Sequence, residues 1–342
     1  MFDNKFLIED WNDVISNIGM SKLNVFKNKT VLITGANGFI GRSLTHFFIY
    51  LNEKFSENIK LILVDKEFKN NHQNNVLTKK YDVKFLKLDL LKKLELDFDV
   101  DYVFHLAVII SHELNSKTPV DSLRVNILGT ENILDAVKDK NIKKFIYFSS
   151  AGIYGSPDEK NIPTTESFNG NISPISPRSC YAEGKRAAEA LSMAYYRQYN
   201  LPVNIVRPFH MYGPLMNFQG DNALNFFLNC GFNNKDIFLE TTGEDTRSLC
   251  YITDVLSIIL LVCLNKKSGE VFNVGNEEAE IKIIDLANLI NKIFGNRIKV
   301  HIRKNNKGDF FKGPASRNVS SMAKVKNILK FTPKVDIEKG LK

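Results

Sequence analysis

Tyr181 and Lys185 stand four residues apart in YAEGK, within a segment patterned as a helix (181–200), so both side chains fall on one face. A phenol ordinarily holds its proton to about pH 10. A neighbouring ammonium favours the phenolate, which can then take a proton from an alcohol while hydride leaves the carbon. Y-x-x-x-K alone occurs by chance on any amphipathic helix, so its weight comes from what precedes it. Ser149 and Ser150 close the apolar run KKFIYFSS (143–150). A hydroxyl at a strand's carboxyl end faces the crevice where α/β sheets take ligands, so Ser150 could bond the reacting oxygen. Without Tyr181 it would read as a serine capping a strand.

The apolar run VLITGANGFIG (31–41) stops in three glycines, Gly35, Gly38 and Gly41, just ahead of a helical pattern. A strand ending in glycine delivers a helix N-terminus to the sheet edge, where free N–H groups and the positive dipole end suit a pyrophosphate. In that reading Gly35 makes the turn, Gly38 lets phosphate approach the backbone and Gly41 lets helix and strand pack closely. The spacing is G-x-x-G-x-x-G rather than the commoner G-x-G-x-x-G, and a bare strand–helix turn is the alternative. Asp65 ends the next strand pattern, where a carboxylate bonds adenosine ribose hydroxyls and repels a 2′-phosphate, favouring NAD over NADP. Lys66 beside it weakens that preference. A cationic nicotinamide would add to the pull of Lys185 on the phenol.

The elements that must hold these groups alternate. Strand patterns at 31–35, 59–65, 83–90, 101–107, 143–150 and 202–208 are interleaved with helical ones at 40–51, 122–140 and 181–200, and VFNVG (271–275) is a seventh strand candidate. This rhythm predicts an α/β fold with a doubly wound, mostly parallel sheet covered on both faces. Residues 1–28 form a helical extension, with Ile8, Trp11, Val14, Ile15 and Ile18 at helical spacing, packing on the domain or on a partner subunit. Residues 29–213 with 251–275 form the Rossmann-type domain, and 214–250 with 276–342 a smaller C-terminal substrate-binding lobe over the carboxyl ends of the strands. The closing DIEKGLK reads as the start of a helix.

The 342 residues are enough for one large or two modest domains, and the 44% hydrophobic and 25% charged fractions are ordinary for a globular chain. The net charge of +8 comes from lysines dispersed among asparagines and acids, without the basic, aromatic-interleaved stretch of a nucleic-acid module. Such a charge suits nucleic acid or an anionic small substrate, but solvated lysines are the default reading and the charge alone predicts little. Four scattered cysteines, without C-x-x-C spacing, argue against disulfides and zinc. No apolar stretch is long enough to span a bilayer, and the N-terminus lacks the order of a signal peptide, so a cytoplasmic location is expected.

Taken together, these motifs resemble those of the extended short-chain dehydrogenase/reductase family of sugar-nucleotide epimerases, dehydratases and decarboxylases. The resemblance runs from about residue 29 to the end through TGANGFIG (34–41), LDL (88–90), HLA (105–107), VNILGTEN (125–132), FSSAGIYG (148–155), YAEGK (181–185), RPFHMYGP (207–214), TRSLCYITDV (246–255) and FNVGN (272–276). SPRSCYAEGKRAAEA (176–190) looks most like the UDP-glucuronate decarboxylase branch. The resemblance implies a tightly held NAD and a transient 4-keto sugar, with Tyr181 as acid/base, Lys185 tuning it and binding the nicotinamide ribose, and Ser150 as their hydroxyl partner. It implies a cofactor site of Gly35, Gly38, Phe39, Ile40, Gly41, Asp65, Asp89, Leu90, Leu106, Ala107, Tyr181, Lys185 and Pro208, with Asp89 at the adenine and Asn126 on the helix behind. It implies a substrate site of Ser150, Ala151, His210, Arg247 and Arg317, the arginines gripping the pyrophosphate. No metal is implied. The helices at 122–140 and 181–200 pair across a two-fold axis in such proteins, implying a homodimer.

Two departures direct the reading. Dehydratases carry Asp-Glu after the Ser/Thr, and decarboxylases a glutamate two positions on; here those positions are Ala151 and Gly152. Eliminating water needs a positioned acid and base besides the tyrosine, whereas inverting a keto sugar needs only hydride and one proton shuttle. An NAD-dependent nucleotide-sugar epimerase is therefore expected. The alternatives are a decarboxylase or 4,6-dehydratase with displaced acid and base, a 4-keto reductase, and a non-catalytic NAD- or RNA-binding relative. The second departure is His210, where asparagine is common: it either contacts substrate or is a core histidine bonded to backbone. His112 and Glu113, after the fourth strand, could supply a displaced acid or base.

Overall fold

The computed structural model describes residues 5–68, 80–108, 117–176, 179–218, 222–303 and 316–342. His112 and Glu113 lie outside the described residues.

The chain enters through two short helices, α1 (Lys5–Ile18) and α2 (Met20–Leu23). It then alternates β1 (Thr30–Thr34), α3 (Phe39–Phe55), β2 (Lys60–Asp65), β3 (Val83–Lys87), β4 (Tyr102–His105), α4 (Pro119–Val137), β5 (Lys144–Phe148), α5 (Ser179–Tyr199) and β6 (Val203–Pro208). After β7 (His210–Tyr212), α6 (Ala223–Phe232), β8 (Ile237–Leu239), β9 (Thr246–Tyr251) and α7 (Ile252–Leu264), the strand β10 (Glu270–Val274) returns to the main sheet. All seven strands of that sheet are parallel, in the order β10-β6-β5-β4-β1-β2-β3. The chain reverses direction across the sheet between β1 and β4, the place where open α/β sheets leave a crevice at their carboxyl ends. This is the Rossmann-type arrangement the motif rhythm predicts, seventh strand included.

Both faces of the central strands are dry, which is why β1, β2, β4, β5 and β6 read as largely apolar runs. Val31, Ile33, Leu61, Leu63 and Phe104 point to one side, into a core with Trp11, Leu44, Phe47, Phe48 and Ile259. Leu32, Ile62, Val64, Val103 and Phe145 point to the other, against Ile133, Leu134 and Ala188 of α4 and α5. The N-terminal extension resolves to this same core: α1 lies along α7, with Trp11 and Val14 fully buried. Asn17 reaches Ser257 of α7 at 3.0 Å.

The remaining strands build a smaller layer. β9 pairs with β7 and with β11 (Glu280–Lys282) and β13 (Arg317–Asn318); β8 pairs with β12 (Val300–Ile302). With α6 and α8 (Ile283–Ile293) these enclose a third core around Phe227, Leu239, Leu249 and Ile290. DIEKGLK forms the last helix, α9 (Ile337–Leu341), capped by Asp336. No described helix is long and apolar enough to cross a membrane.

Candidate active site

The glycine loop sits at the reversal point of the sheet. Gly35 follows β1 with φ +67°, and a Cβ there would lie 2.8 Å from the Ala107 amide nitrogen, so the loop and the segment after β4 touch backbone to backbone. A Cβ at Gly41 would overlap the Gly35 carbonyl oxygen and stand 2.8 Å from the Ala36 Cα. The first turn of α3, Phe39 and Ile40 included, therefore rests on the loop itself. Gly38 caps that helix with no side-chain hydrogen bond, and no acid lies in its first turn, which leaves a positive helix end open to an anion. Asp65, at the end of β2, accepts the Asn37 amide at 2.9 Å, so the carboxylate is held against the loop. Asp89 lies next to Lys66 at 3.6 Å and caps its own turn through the Leu91 amide at 3.1 Å. Leu90 packs over Gly129 of α4. Leu106 and Ala107 leave β4, and Pro208 ends β6, all at the same edge as the loop.

On the other side of the crevice, Ser150 N-caps a 3₁₀ turn at Ala151–Tyr154, its Oγ accepting the Gly152 amide at 3.0 Å. The same hydroxyl faces the Tyr181 phenol, so capping and proximity to the phenol are one arrangement. Tyr181 stands in the first turn of α5. A Cβ at Gly152 would be 3.3 Å from Ser150 Oγ and 3.4 Å from Tyr181 Cε1, which puts position 152 directly against the pair. Lys185, 2% exposed, donates from Nζ to the Phe148 carbonyl at 2.5 Å and lies 5.0 Å from the centre of the Tyr147 ring.

The electrostatics correct one expectation. Burial raises the Tyr181 pKa, and the Ser150 hydrogen bond only partly offsets this. Burial also drives Lys185 down to about 7, with Glu189 pulling weakly the other way. A dry pocket penalises the charged form of each group, so burial works against the phenolate that a neighbouring ammonium favours. The protein alone does not lower the phenol's proton affinity.

The substrate-side candidates share the β7–β9–β13 layer. His210 pairs across from Leu249, two residues beyond Arg247, and Arg247 pairs with Asn318 beside Arg317. His210 Nε2 is buried without a hydrogen-bond partner, so the imidazole is not tied to backbone through that atom. Burial and then Arg247 push its pKa down to about 4, making it a neutral imidazole. Arg247 is braced by the Thr246 carbonyl at 2.7 Å and by Ser316. Arg317 is already gripped bidentately by Glu280, both contacts at 2.8 Å, with Glu159 at 3.5 Å. Ala151 is buried beside Ile153, Tyr154 and Phe209.

Beneath the pocket runs a polar brace that the sequence reading missed. Arg207 of β6 holds Glu189 of α5 through two contacts, 2.9 and 2.7 Å, and donates to Tyr154 Oη at 3.0 Å. Tyr154 in turn donates to Asn273 of β10 at 2.7 Å. Glu189 lies one turn beyond Lys185, so this brace fixes the helix carrying Tyr181. Its members fall within the quoted motifs RPFHMYGP, FSSAGIYG, FNVGN and SPRSCYAEGKRAAEA, and that was the available signal. Among the described residues no cluster of three or more His, Cys, Asp or Glu could hold a metal.

Comparison with known proteins agrees with this geometry. Residues 31–275 match the family model described as "NAD dependent epimerase/dehydratase family". UDP-glucuronic acid decarboxylase 6 of Arabidopsis thaliana is 30% identical over 320 residues, 92% of this chain and 87% of that protein. A dTDP-D-glucose 4,6-dehydratase of Dictyostelium discoideum is 35% identical over 272 residues, 76% of this chain and 61% of that protein. A crystal structure of UDP-glucose 4-epimerase with UDP-glucose, from Thermotoga maritima, superposes with a TM-score of 0.75 at 26% identity, covering 91% of this chain and 96% of that one. The glycine loop at the sheet's reversal point, the Ser150–Tyr181–Lys185 grouping beside it and the span of these matches lead to one conclusion: the chain belongs to the NAD dependent epimerase/dehydratase family.

Proposed function

We propose that this protein is an NAD-dependent nucleotide-sugar epimerase working through a transient 4-keto sugar. The observation that carries this is the composition of the wall around the phenol. Ser150, Tyr181 and Lys185 gather at one point, while the two following wall positions are Ala151 and Gly152. Gly152 abuts both Ser150 Oγ and the Tyr181 ring, so a carboxylate on that residue would reach the reacting groups, and none is present. Elimination needs an acid and a base in addition to the phenol; inversion reuses a single proton site in both directions.

The residues fit a dinucleotide. An uncapped positive helix end, glycines too closely packed to bear a Cβ and a carboxylate fixed at the end of β2 are what pyrophosphate and ribose require. Gly35, Gly38, Phe39, Ile40 and Gly41 would cradle the phosphates. Asp65 would hold the adenosine ribose, Asp89 and Leu90 the adenine side, and Leu106, Ala107 and Pro208 the floor of the crevice. Bound there, NAD supplies a reversible hydride acceptor and a positive ring. Tyr181 takes the proton from the C4 hydroxyl and later returns it. Ser150 keeps its own proton free to donate, because its oxygen is the acceptor toward Gly152. Lys185, anchored on the Phe148 carbonyl, orients the ribose. Arg247 and the neutral His210 bind the nucleotide diphosphate and sugar, with Arg317 at their margin. Exposed Leu123, Leu128 and Tyr199 on α4 and α5 support a homodimer through these helices.

A second reading, decarboxylation with a displaced acid or base, is favoured by the 30% identity to UDP-glucuronic acid decarboxylase 6 over 92% of the chain. Incubating the protein and NAD with UDP-, dTDP-, CDP- and GDP-sugars, uronic acids included, separates the two. NMR should find an inverted sugar at unchanged mass. Release of carbon dioxide or water would overturn the epimerase reading.

A further inference from the structure

A buried chain of hydrogen bonds joins the glycine loop to the helix behind the catalytic residues, and His105 is its middle link. Thr34, the last residue of β1, meets His105 Nδ1 through Oγ1 at 2.7 Å and accepts the Ala107 amide at 3.3 Å. On the far side, His105 Nε2 lies 3.1 Å from Thr130 Oγ1, which donates to the Asn126 carbonyl at 2.5 Å. His105 is 1% exposed and Thr34 fully buried.

The proton positions follow from valence. The Asn126 carbonyl can only accept and makes the shorter of the two Thr130 contacts, so the Thr130 hydroxyl proton is assigned to it. Thr130 Oγ1 must then accept from His105, which places a proton on Nε2. A neutral imidazole so protonated has a bare Nδ1, which accepts from the Thr34 hydroxyl. Burial, with the Lys185 charge nearby, keeps the ring neutral, its pKa pushed down to about 3. In this arrangement the Thr34 and Thr130 hydroxyls and both imidazole nitrogens each have a partner.

The two ends of the chain meet the two halves of the site. Thr34 immediately precedes Gly35, and Ala107 is the residue that Gly35 packs against. Asn126 abuts Gly184, where a Cβ would stand 3.1 Å from the Asn126 Cβ, and Gly184 adjoins Lys185. Resting on the function proposed above, we propose that His105, as its Nε2–H tautomer, is a positioning residue that sets the dinucleotide loop in register with the helix bearing Tyr181 and Lys185.

Asparagine and glutamine divide the role. His105→Asn can offer an acceptor near the Nδ1 position and keep Thr34, but is too short to reach Thr130. His105→Gln can extend a donor toward Thr130 but leaves Thr34 without its acceptor. The expected result is a split. His105→Asn should retain NAD affinity within about twofold, by calorimetry, and lose about tenfold in kcat, the scale of one lost hydrogen bond. His105→Gln should do the reverse. Thr130→Val should copy His105→Asn, Thr34→Val should copy His105→Gln, and Thr130→Ser should restore kcat. In the wild-type protein, ¹⁵N NMR of the imidazole should find Nε2 protonated and Nδ1 bare, unchanged from pH 8 to pH 5. An Nδ1–H tautomer, or variants that change NAD affinity and kcat by equal factors, would overturn the proposal. If the wild-type protein bound no NAD and converted no nucleotide sugar, the proposed function would fail instead, and the tautomer would still decide the assignment of His105.

Discussion

Replacing Lys185 by methionine should destroy turnover and, below pH 7, stabilise the fold. The lysine is 2% exposed and its pKa is held near 7, some 3.5 units below the usual 10.5. At 1.36 kcal/mol per unit, keeping the proton in that pocket costs up to about 5 kcal/mol. Methionine removes that cost but also the hydrogen bond to the Phe148 carbonyl, whose loss in a buried site is worth about 1–3 kcal/mol. The net gain at pH 6 should therefore be about 2–4 kcal/mol. The sign with pH follows from proton counting. The native protein sheds the lysine proton near 7 and the unfolded chain only near 10.5, so between those values the unfolded chain binds more protons and wild-type stability rises with pH. The advantage of Lys185→Met should shrink through the same window and vanish or reverse by pH 10. Urea unfolding of both proteins without added NAD, at pH 6, 8 and 9.5, measures this. A stability difference that does not change with pH would refute the account of the pocket as one that penalises charge.

Tyr181→Phe should lower kcat by about 10²–10⁴-fold, the usual worth of a positioned acid/base, while calorimetry finds NAD affinity nearly unchanged. Gly41→Ala puts a methyl onto the Gly35 carbonyl, so it should cost about 1–3 kcal/mol in thermal or urea unfolding and weaken NAD binding at least tenfold. Asp10, buried on α1 and bonded to Tyr251 Oη at 3.0 Å, is raised to about 7, mainly by burial. Its native form binds a proton that the unfolded chain has lost above pH 3.8, so the stability it contributes is present below that value and declines as pH rises through 7. Asp10→Asn should thus be more stable than wild type by about 1–3 kcal/mol at pH 8.5 and indistinguishable at pH 4.5, in parallel urea titrations.

The parts of the molecule that were legible in the sequence are those where the physics is local. VLITG followed by spaced glycines announces a buried parallel strand and a tight entry into a helix, because the dry sheet and the close approach of Gly41 to Gly35 act within ten residues. Tyr181 and Lys185 share a helix face by geometry alone. What stayed hidden depends on distant partners. The sign of the Tyr181 shift required knowing that Lys185 is itself desolvated. The helical period of residues 5–18 told of a buried stripe but not that α7, some 240 positions later, receives it. Arg317 carried the right chemistry for phosphate, yet Glu280 on the neighbouring strand already occupies its fork. His105 opens the HLA motif at the end of a strand, and only the hydroxyls of Thr34 and Thr130 on either side of it give it a task.

The central claim is that hydride leaves and returns to one sugar carbon beside a single phenol. A nucleotide sugar deuterated at C4, incubated with the protein and NAD and followed by NMR and mass spectrometry, tests it most directly. The account predicts an inverted product of unchanged mass with deuterium still on C4. Deuterium found on C6, or a product lighter by water or carbon dioxide, would contradict it.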